Sequence, residues 1–485
     1  MQHITTLGDL KKLNYQALTI AEEMRKNLSD KLRKGEKVFN HIIGYEDTVL
    51  PELEQAILAG HSINFLGLRG QGKTKMARLL VQLLDEYVPV IKGSPLNECP
   101  FNPILPKSKL LLEQLGDNVE ITWLHRNERY AEKLATPDVN IADLIGDIDP
   151  IKAANLKLSL DNEEVIHYGI IPRSNRGIFV INELPDLQPR IQVALFNLLQ
   201  EGDLQIRGYK LRIPVDIQFV FTSNPEDYTN RGSIITPLKD RIQSQIFTHY
   251  PLSNALGRAI TKQEVKRYKN QENIVVPELM EVLLEQVAIE ARKSEYVDVK
   301  SGVSARLSIT AYENVLSAVE RRMLINGLTQ DSARISDIYA AIPAIIGKIE
   351  MVYEGEQEGA VNVAKILIDE AIKSVGVTFY PDLENLGFKK SSAYLKNHFP
   401  EILSWFEEGN LLDIPTVADA KTVEKSLSQI PTLYAKANEL DSENSLLMME
   451  FILHWLAAFN LVQKNTLHKR TIFKDTLGSI MRDFN

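Results

Sequence analysis

Residues 67–74 read Gly-Leu-Arg-Gly-Gln-Gly-Lys-Thr, a full match to G-x-x-x-x-G-K-[ST]. The chemistry this spacing serves is phosphate binding. Glycines let backbone N–H groups wrap a phosphate without a Cβ in the way, the ammonium of Lys73 neutralises terminal phosphate charge, and the Thr74 hydroxyl is a magnesium ligand. A site of this kind also requires an acid near the metal and a group that orients the attacking water. GIFVINELPDL (177–187) offers both positions in Asn182 and Glu183 at the end of an apolar run. Glu183 is the candidate for activating water. Asn182 stands where a carboxylate is expected, so an amide oxygen would face the magnesium shell and hydrolysis is expected to be slow. IQFVFTSN (217–224) ends in Asn224, which could reach the γ-phosphate or the water, and Arg241 in PLKDRI (237–242) could stabilise transition-state charge in a neighbouring subunit.

The elements that must position these groups follow from periodicity. SINFLGL (62–68), GIFVIN (177–182) and IQFVFTSN are short apolar runs bounded by turn signals, and TKMARLLVQLLDEY behind the glycine loop has helical spacing. Strands alternating with helices predict an α/β unit with a largely parallel sheet over residues 39–255. Beyond it, 276–293, 307–325 and 335–353 carry helical periodicity, which predicts an all-helical domain over 256–355. Residues 356–485 predict a mostly helical extension broken by Pro400, Pro415 and Pro431. Residues 1–38 read as an amphipathic helical arm, and EGDLQIRGYKLRIPVD (201–216) alternates as a β-hairpin would around Arg207-Gly208-Tyr209.

Composition narrows the class. The chain has 485 residues, 44% hydrophobic, with a formal net charge of −9 and one cysteine, Cys99. A single thiol excludes an internal disulfide and the paired-thiolate zinc patterns. The acidic balance argues against a general nucleic-acid binder. No apolar segment has the length of a signal core or a membrane span, so the expectation is a cytoplasmic protein without membrane insertion. His125, His167, His249 and His454 lack the spacing of a metal set, and Trp123, Trp405 and Trp455 read as core anchors.

Taken in order, the motifs over residues 39–350 resemble the AAA+ ATPases, and within them the clade of the magnesium chelatase ATPase subunit and the MoxR proteins. FNHIIGYEDTV (39–49) is similar to the segment that lies against adenine in that family, which assigns Ile43 and Gly44 to the nucleotide. The resemblance makes Gly67, Gly70, Gly72, Lys73 and Thr74 the Walker A loop, Asn182 and Glu183 Walker B, Asn224 sensor 1 and Arg241 the arginine finger. Arg306 in SGVSARLSI (301–309) becomes sensor 2, with Arg321 and Arg322 as competitors. Residues 160–172 resemble the clade's insertion into helix 2, and 201–216 its hairpin before sensor 1. The resemblance implies an αβα core with ATP and Mg²⁺ as cofactors, a helical lid, and a homo-oligomeric ring, commonly a hexamer. It further implies a remodelling or metal-insertion chaperone that works with a von Willebrand factor A partner on a client the sequence does not identify.

Two other readings stay open. NELPDLQPRIQVALFNLLQEGDLQIRGY (182–209) also resembles activators of the alternative sigma factor, although their GAFTGA loop is absent here. Asn182 keeps alive a nucleotide-binding scaffold with little hydrolysis.

Overall fold

In the computed structural model, residues 4–159, 162–206, 212–225, 233–383, 386–467 and 470–476 are described. The chain divides into two compact units, Met1–His249 and Tyr250–Asn485.

The first unit is built on a five-stranded sheet. Its strands are β1 (Ile63–Leu66), β2 (Tyr130–Leu134), β3 (Gly177–Asn182), β4 (Ile217–Ser223) and β5 (Ser244–Phe247), in the spatial order β5-β1-β4-β3-β2. Every pairing is parallel, with Ile63 opposite Val220 and Ser244, and Phe221 opposite Ile181. Parallel strands are covered on both faces, which is why the runs are almost continuously apolar. Successive side chains point to opposite layers. Ile178, Val180 and Val220 join one apolar cluster with Met24, Leu28, Met76 and Ala77, whereas Phe179, Ile181, Phe219 and Phe221 join another with Ile191, Leu198 and Leu238. All strands run the same way, so the ends of β1, β3 and β4 and the residues after them open on one edge, where ligands bind in such sheets.

The N-terminal segment is integral to this unit. The expected single amphipathic arm is two helices, Leu7–Lys12 and α1 (Ile20–Arg33). The break has a local cause: Asn14 takes φ 53°, and Thr19 restarts the chain with a reciprocal capping box to Glu22. α1 is then clamped by the buried pair Glu23–Arg129 at 2.6 Å. Between the glycine-loop helix and β3 lie two antiparallel hairpins outside the main sheet, Tyr87–Ile91 with Ile121–His125 and Gly146–Ile148 with Ile166–Tyr168. Asp203–Gln205 and Arg212–Pro214 pair antiparallel as the alternation predicts, while Arg207, Gly208 and Tyr209 lie outside the described residues.

The second unit is mostly helical. One apolar cluster runs from Ile274 to Phe473, so residues on both sides of position 355 share a core. The first two expected helices are Glu278–Ala291 and Arg306–Asn326. The third, 335–353, is instead a 3₁₀ stretch, Ile335–Ala341, followed by a short helix, Ile342–Ile346. Pro343 explains the break, since it lacks an N–H and crowds the carbonyl four residues back. The C-terminal region also holds what the helical reading missed: a three-stranded antiparallel sheet of Leu412–Pro415, Arg470–Lys474 and Gln463–Leu467. Helix Ser445–Ala458 is buried on all sides, and Trp455 in it lies against Gly376, where a Cβ would collide with the indole. Among the described residues, no helix is long and apolar enough to cross a membrane.

Candidate functional site

The glycine loop leaves β1 at Leu66 and enters the helix α2 (Lys73–Leu79). Gly70 and Gly72 take φ 75° and 73°, in the left-handed region that side chains disfavour, so glycine at these positions lets the loop close. At Gly67 the constraint is space: a Cβ would run into the Thr248 hydroxyl and the Gln71 amide oxygen. Those two groups are bonded to each other at 2.7 Å, fastening the loop to the residue after β5. The Tyr45 hydroxyl adds a second tie, lying 2.9 Å from the Gln71 carbonyl and 2.6 Å from that of His249. Lys73 is buried, and its ammonium donates to the carbonyls of Gly67 and Leu68. The cation is thus folded into the loop it would use to hold phosphate.

β3 delivers Asn182 and Glu183 beside this loop. The Thr74 hydroxyl donates to Asn182 Oδ1 at 3.2 Å, joining the two expected metal-side residues directly. A second hydroxyl, from Thr222 on β4, donates to the same oxygen at 3.2 Å and accepts the N–H of Glu183 at 3.1 Å. Glu183 itself sits at φ 55°, ψ 51°, a left-handed conformation that a residue with a side chain adopts at a cost. Asn224 follows β4, is buried, and its Oδ1 has no hydrogen-bond partner among the described residues. An orphaned buried acceptor in this position is an observation that points to a ligand or water completing the site. The donor set suits magnesium: hydroxyl and amide oxygens are hard ligands, and that ion keeps several waters when few carboxylates are offered.

The remaining expected residues are placed elsewhere. Ile43 and Gly44 precede Tyr45; Gly44 takes φ 84° and its N–H donates to Glu46 Oε2 at 2.8 Å. Arg241 ends the helix α3 (Thr236–Arg241) and is held by its own neighbours. Its guanidinium lies 4.8 Å from the Phe196 ring centre, with bonds of 3.1 and 2.8 Å to Gln200 Oε1 and 2.8 Å to the Pro237 carbonyl. None of these partners belongs to the glycine loop. Arg306 belongs to the second unit, exposed at the head of helix Arg306–Asn326. Arg322, its competitor on the same helix, is occupied as a brace, bonding Asp331 at 2.7 Å and Asp337 at 2.5 Å.

Sequence reasoning missed Thr222, Gln71, Thr248 and Tyr45. Only Thr222 carried a signal, a polar residue one step before the end of a buried strand. The other three act through contacts between segments far apart in the chain.

The model of the Sigma-54 interaction domain matches residues 162–245, which span β3, β4 and Arg241. The magnesium-chelatase 38 kDa subunit of Cereibacter sphaeroides is 26% identical over 44% of this chain and 59% of its own length. That of Rhodobacter capsulatus is 25% identical over 42% and 53%. The chain therefore spans between half and three fifths of these relatives. The hydrogenase transcriptional regulatory protein HoxA of Cupriavidus necator is 31% identical over 19% of each chain. A cryo-EM-based model of the complex between subunits BchI and BchD of magnesium chelatase matches at 17% identity over 66% of this chain and 98% of that one. Its TM-score is 0.33, at which the likeness adds nothing to the local match. The glycine loop, the parallel sheet that presents it and these sequence matches make the chain similar to the AAA+ ATPases.

Proposed function

We propose that the chain binds and hydrolyses ATP with magnesium, as a motor of the magnesium chelatase/MoxR type with the insertion into helix 2. The observation that carries this reading is the closure of Thr74 on Asn182 at 3.2 Å beside a buried, unsatisfied Asn224. In it, the loop amides and Lys73 hold the terminal phosphates, and Thr74 and Asn182 hold magnesium, which when bound offsets charge on the phosphoryl oxygens. Glu183 orients the attacking water and takes its proton, and Asn224 fixes that water or the γ-phosphate. Ile43 and Gly44 lie against the base. Arg241, fixed on Phe196, serves the site of a neighbouring copy in a ring, commonly a hexamer, and Arg306 is the sensor 2 residue.

In this reading the lid is 256–355 and the extension 356–485 a docking platform or brace. The motor remodels a protein client or inserts a metal in the cytoplasm, with a partner bearing a von Willebrand factor A domain. ATP turnover with magnesium by the wild type and by Glu183→Gln is the test. Turnover lost in the variant with ATP affinity retained supports the reading. Tight binding without turnover in the wild type leaves a nucleotide-held scaffold instead.

A second reading, an activator acting on the alternative sigma factor, is favoured by the family model over 162–245. The sequence lacks GAFTGA, and the last long helix, Ser445–Ala458, has no free face with which to read DNA. Binding of the purified chain to that sigma factor with an ATP transition-state analogue would reverse the preference.

A further inference from the structure

We propose that Thr222 is a positioning residue for hydrolysis, the group that holds Glu183 in the conformation its role requires. The inference rests on the ATPase reading and adds to it a residue outside the motifs that define the site.

Three observations converge on it. Thr222 is fully enclosed on the central strand β4, opposite Phe65 of β1 and one residue past Phe221, which pairs with Ile181 of β3. Its hydroxyl therefore lies between the strand that leads into the glycine loop and the strand that ends in Asn182. Both partners of that hydroxyl belong to the site: the Glu183 N–H, which it accepts at 3.1 Å, and Asn182 Oδ1, to which it donates at 3.2 Å. Finally, the residue whose N–H it holds is the one turned to φ 55°, where a glycine would sit without strain and a glutamate does not.

The bonds form a directional chain. Glu183 N–H gives to Thr222, Thr222 gives to Asn182 Oδ1, and the same oxygen receives the Thr74 hydroxyl. One amide oxygen thereby ties the metal-side hydroxyl to the water-side glutamate. This gives Asn182 a purpose that an ionised aspartate would serve differently. Its neutral oxygen is shared by two hydroxyl donors, and its first duty is to fix geometry, with the cation's charge balanced by phosphate. Strained backbone survives where surrounding contacts over-determine it. Here the Asp186 N–H donates to the Glu183 carbonyl at 3.0 Å, and Thr222 supplies a side-chain hold on the N–H of the same residue.

The experiment compares wild type, Thr222→Val and Thr222→Ser for ATP turnover and for ATP affinity with magnesium, together with a crystal structure of Thr222→Val. Valine keeps the volume and the β-branch while deleting the hydroxyl. Both bonds of the hydroxyl go, and the expected result is a kcat lower by about tenfold, mainly through release of the Glu183 N–H, with KM and ATP affinity unchanged. Serine restores kcat, and in the valine variant Glu183 leaves the positive-φ region. Unchanged kcat, an equal loss in affinity without serine rescue, or Glu183 still at positive φ in Thr222→Val would overturn the proposal. A wild type that binds ATP and turns none over defeats the ATPase reading by itself, while the backbone of Glu183 in the valine variant still decides whether Thr222 holds it.

Discussion

Two polar clusters, one in each unit, are built on opposite principles. In the first unit Thr74 at the head of α2 and Asn182, Thr222 and Asn224 at and just beyond strand ends carry no charge, and among the described residues the buried Asn224 acceptor has no partner. In the second, Lys464 donates at 2.5 Å to both Asp369 and the Tyr339 hydroxyl, which lies 3.3 Å from His454 Nδ1. Phe473 closes that cluster with its ring 5.2 Å from the imidazole. Charges enclosed in a medium of low dielectric are costly unless paired, and the second cluster pairs them. It braces strand Gln463–Leu467 onto helix Ala360–Phe379. The first leaves an acceptor unpaired, a state that lasts in a folded protein where a ligand or water completes it. Completeness separates a brace from a site.

The largest effect that would break this comparison is at the brace. Lys464→Met should leave Asp369 and Tyr339 facing an apolar chain and lower stability by about 3 kcal/mol, the low end for breaking a buried pair because Asp369 keeps some exposure. Denaturant unfolding of the full chain measures it, and a loss under about 1 kcal/mol would mean that the cluster braces nothing. Gly376→Ala comes next, at about 1 to 3 kcal/mol for overpacking, because a Cβ there meets the Trp455 indole inside a core with no slack.

His454 tests the same brace through pH. Burial, and then the nearby Lys464 charge, hold its pKa well below the usual 6.5. The imidazole is therefore neutral in the folded chain, while the unfolded chain protonates as pH falls through about 6.5, so this histidine lowers stability on the acid side. The expected slope is about 1.4 kcal/mol for each pH unit below that point. Tyr339, raised to about 12 mainly by burial, stays protonated throughout that range. Glu450 is raised by burial and pulls the slope the other way, so the measurement is the difference between wild type and His454→Gln across pH 7.5 to 5.5. Parallel curves would remove His454 from the account.

The contrast also explains what the sequence disclosed. The glycine loop, Asn182-Glu183 and Asn224 were legible because each is a short local pattern at the end of a strand whose apolar run is itself visible. The parallel sheet followed from the same runs. What escaped were relations between distant segments: Thr222 on the Glu183 N–H, Thr248 on Gln71, and Lys464 on Asp369, none of which leaves a periodic trace. Two element readings failed for local reasons. Pro343 broke a helix that periodicity had joined, and Gln463–Leu467 and Arg470–Lys474 form strands where the neighbouring helices had suggested more of the same.

The smallest effect in stability is the most informative about the site. Asn224→Ala removes an acceptor oxygen that has no hydrogen-bond partner among the described residues, so that oxygen forfeits no bond and its loss sheds a desolvation cost. Set against that is the packing of a few buried side-chain atoms, and the expected change is within about 0.5 kcal/mol of zero. The same substitution should lower ATP turnover by about a hundredfold or more, in the range for removing a preorganised polar group from a reacting centre. Polar truncation that costs nothing in folding and much in rate is the signature of a group held ready for a ligand. Were Asn224→Ala to unfold the chain as Lys464→Met should, Asn224 would be another brace, and the opposition between the two clusters would fall.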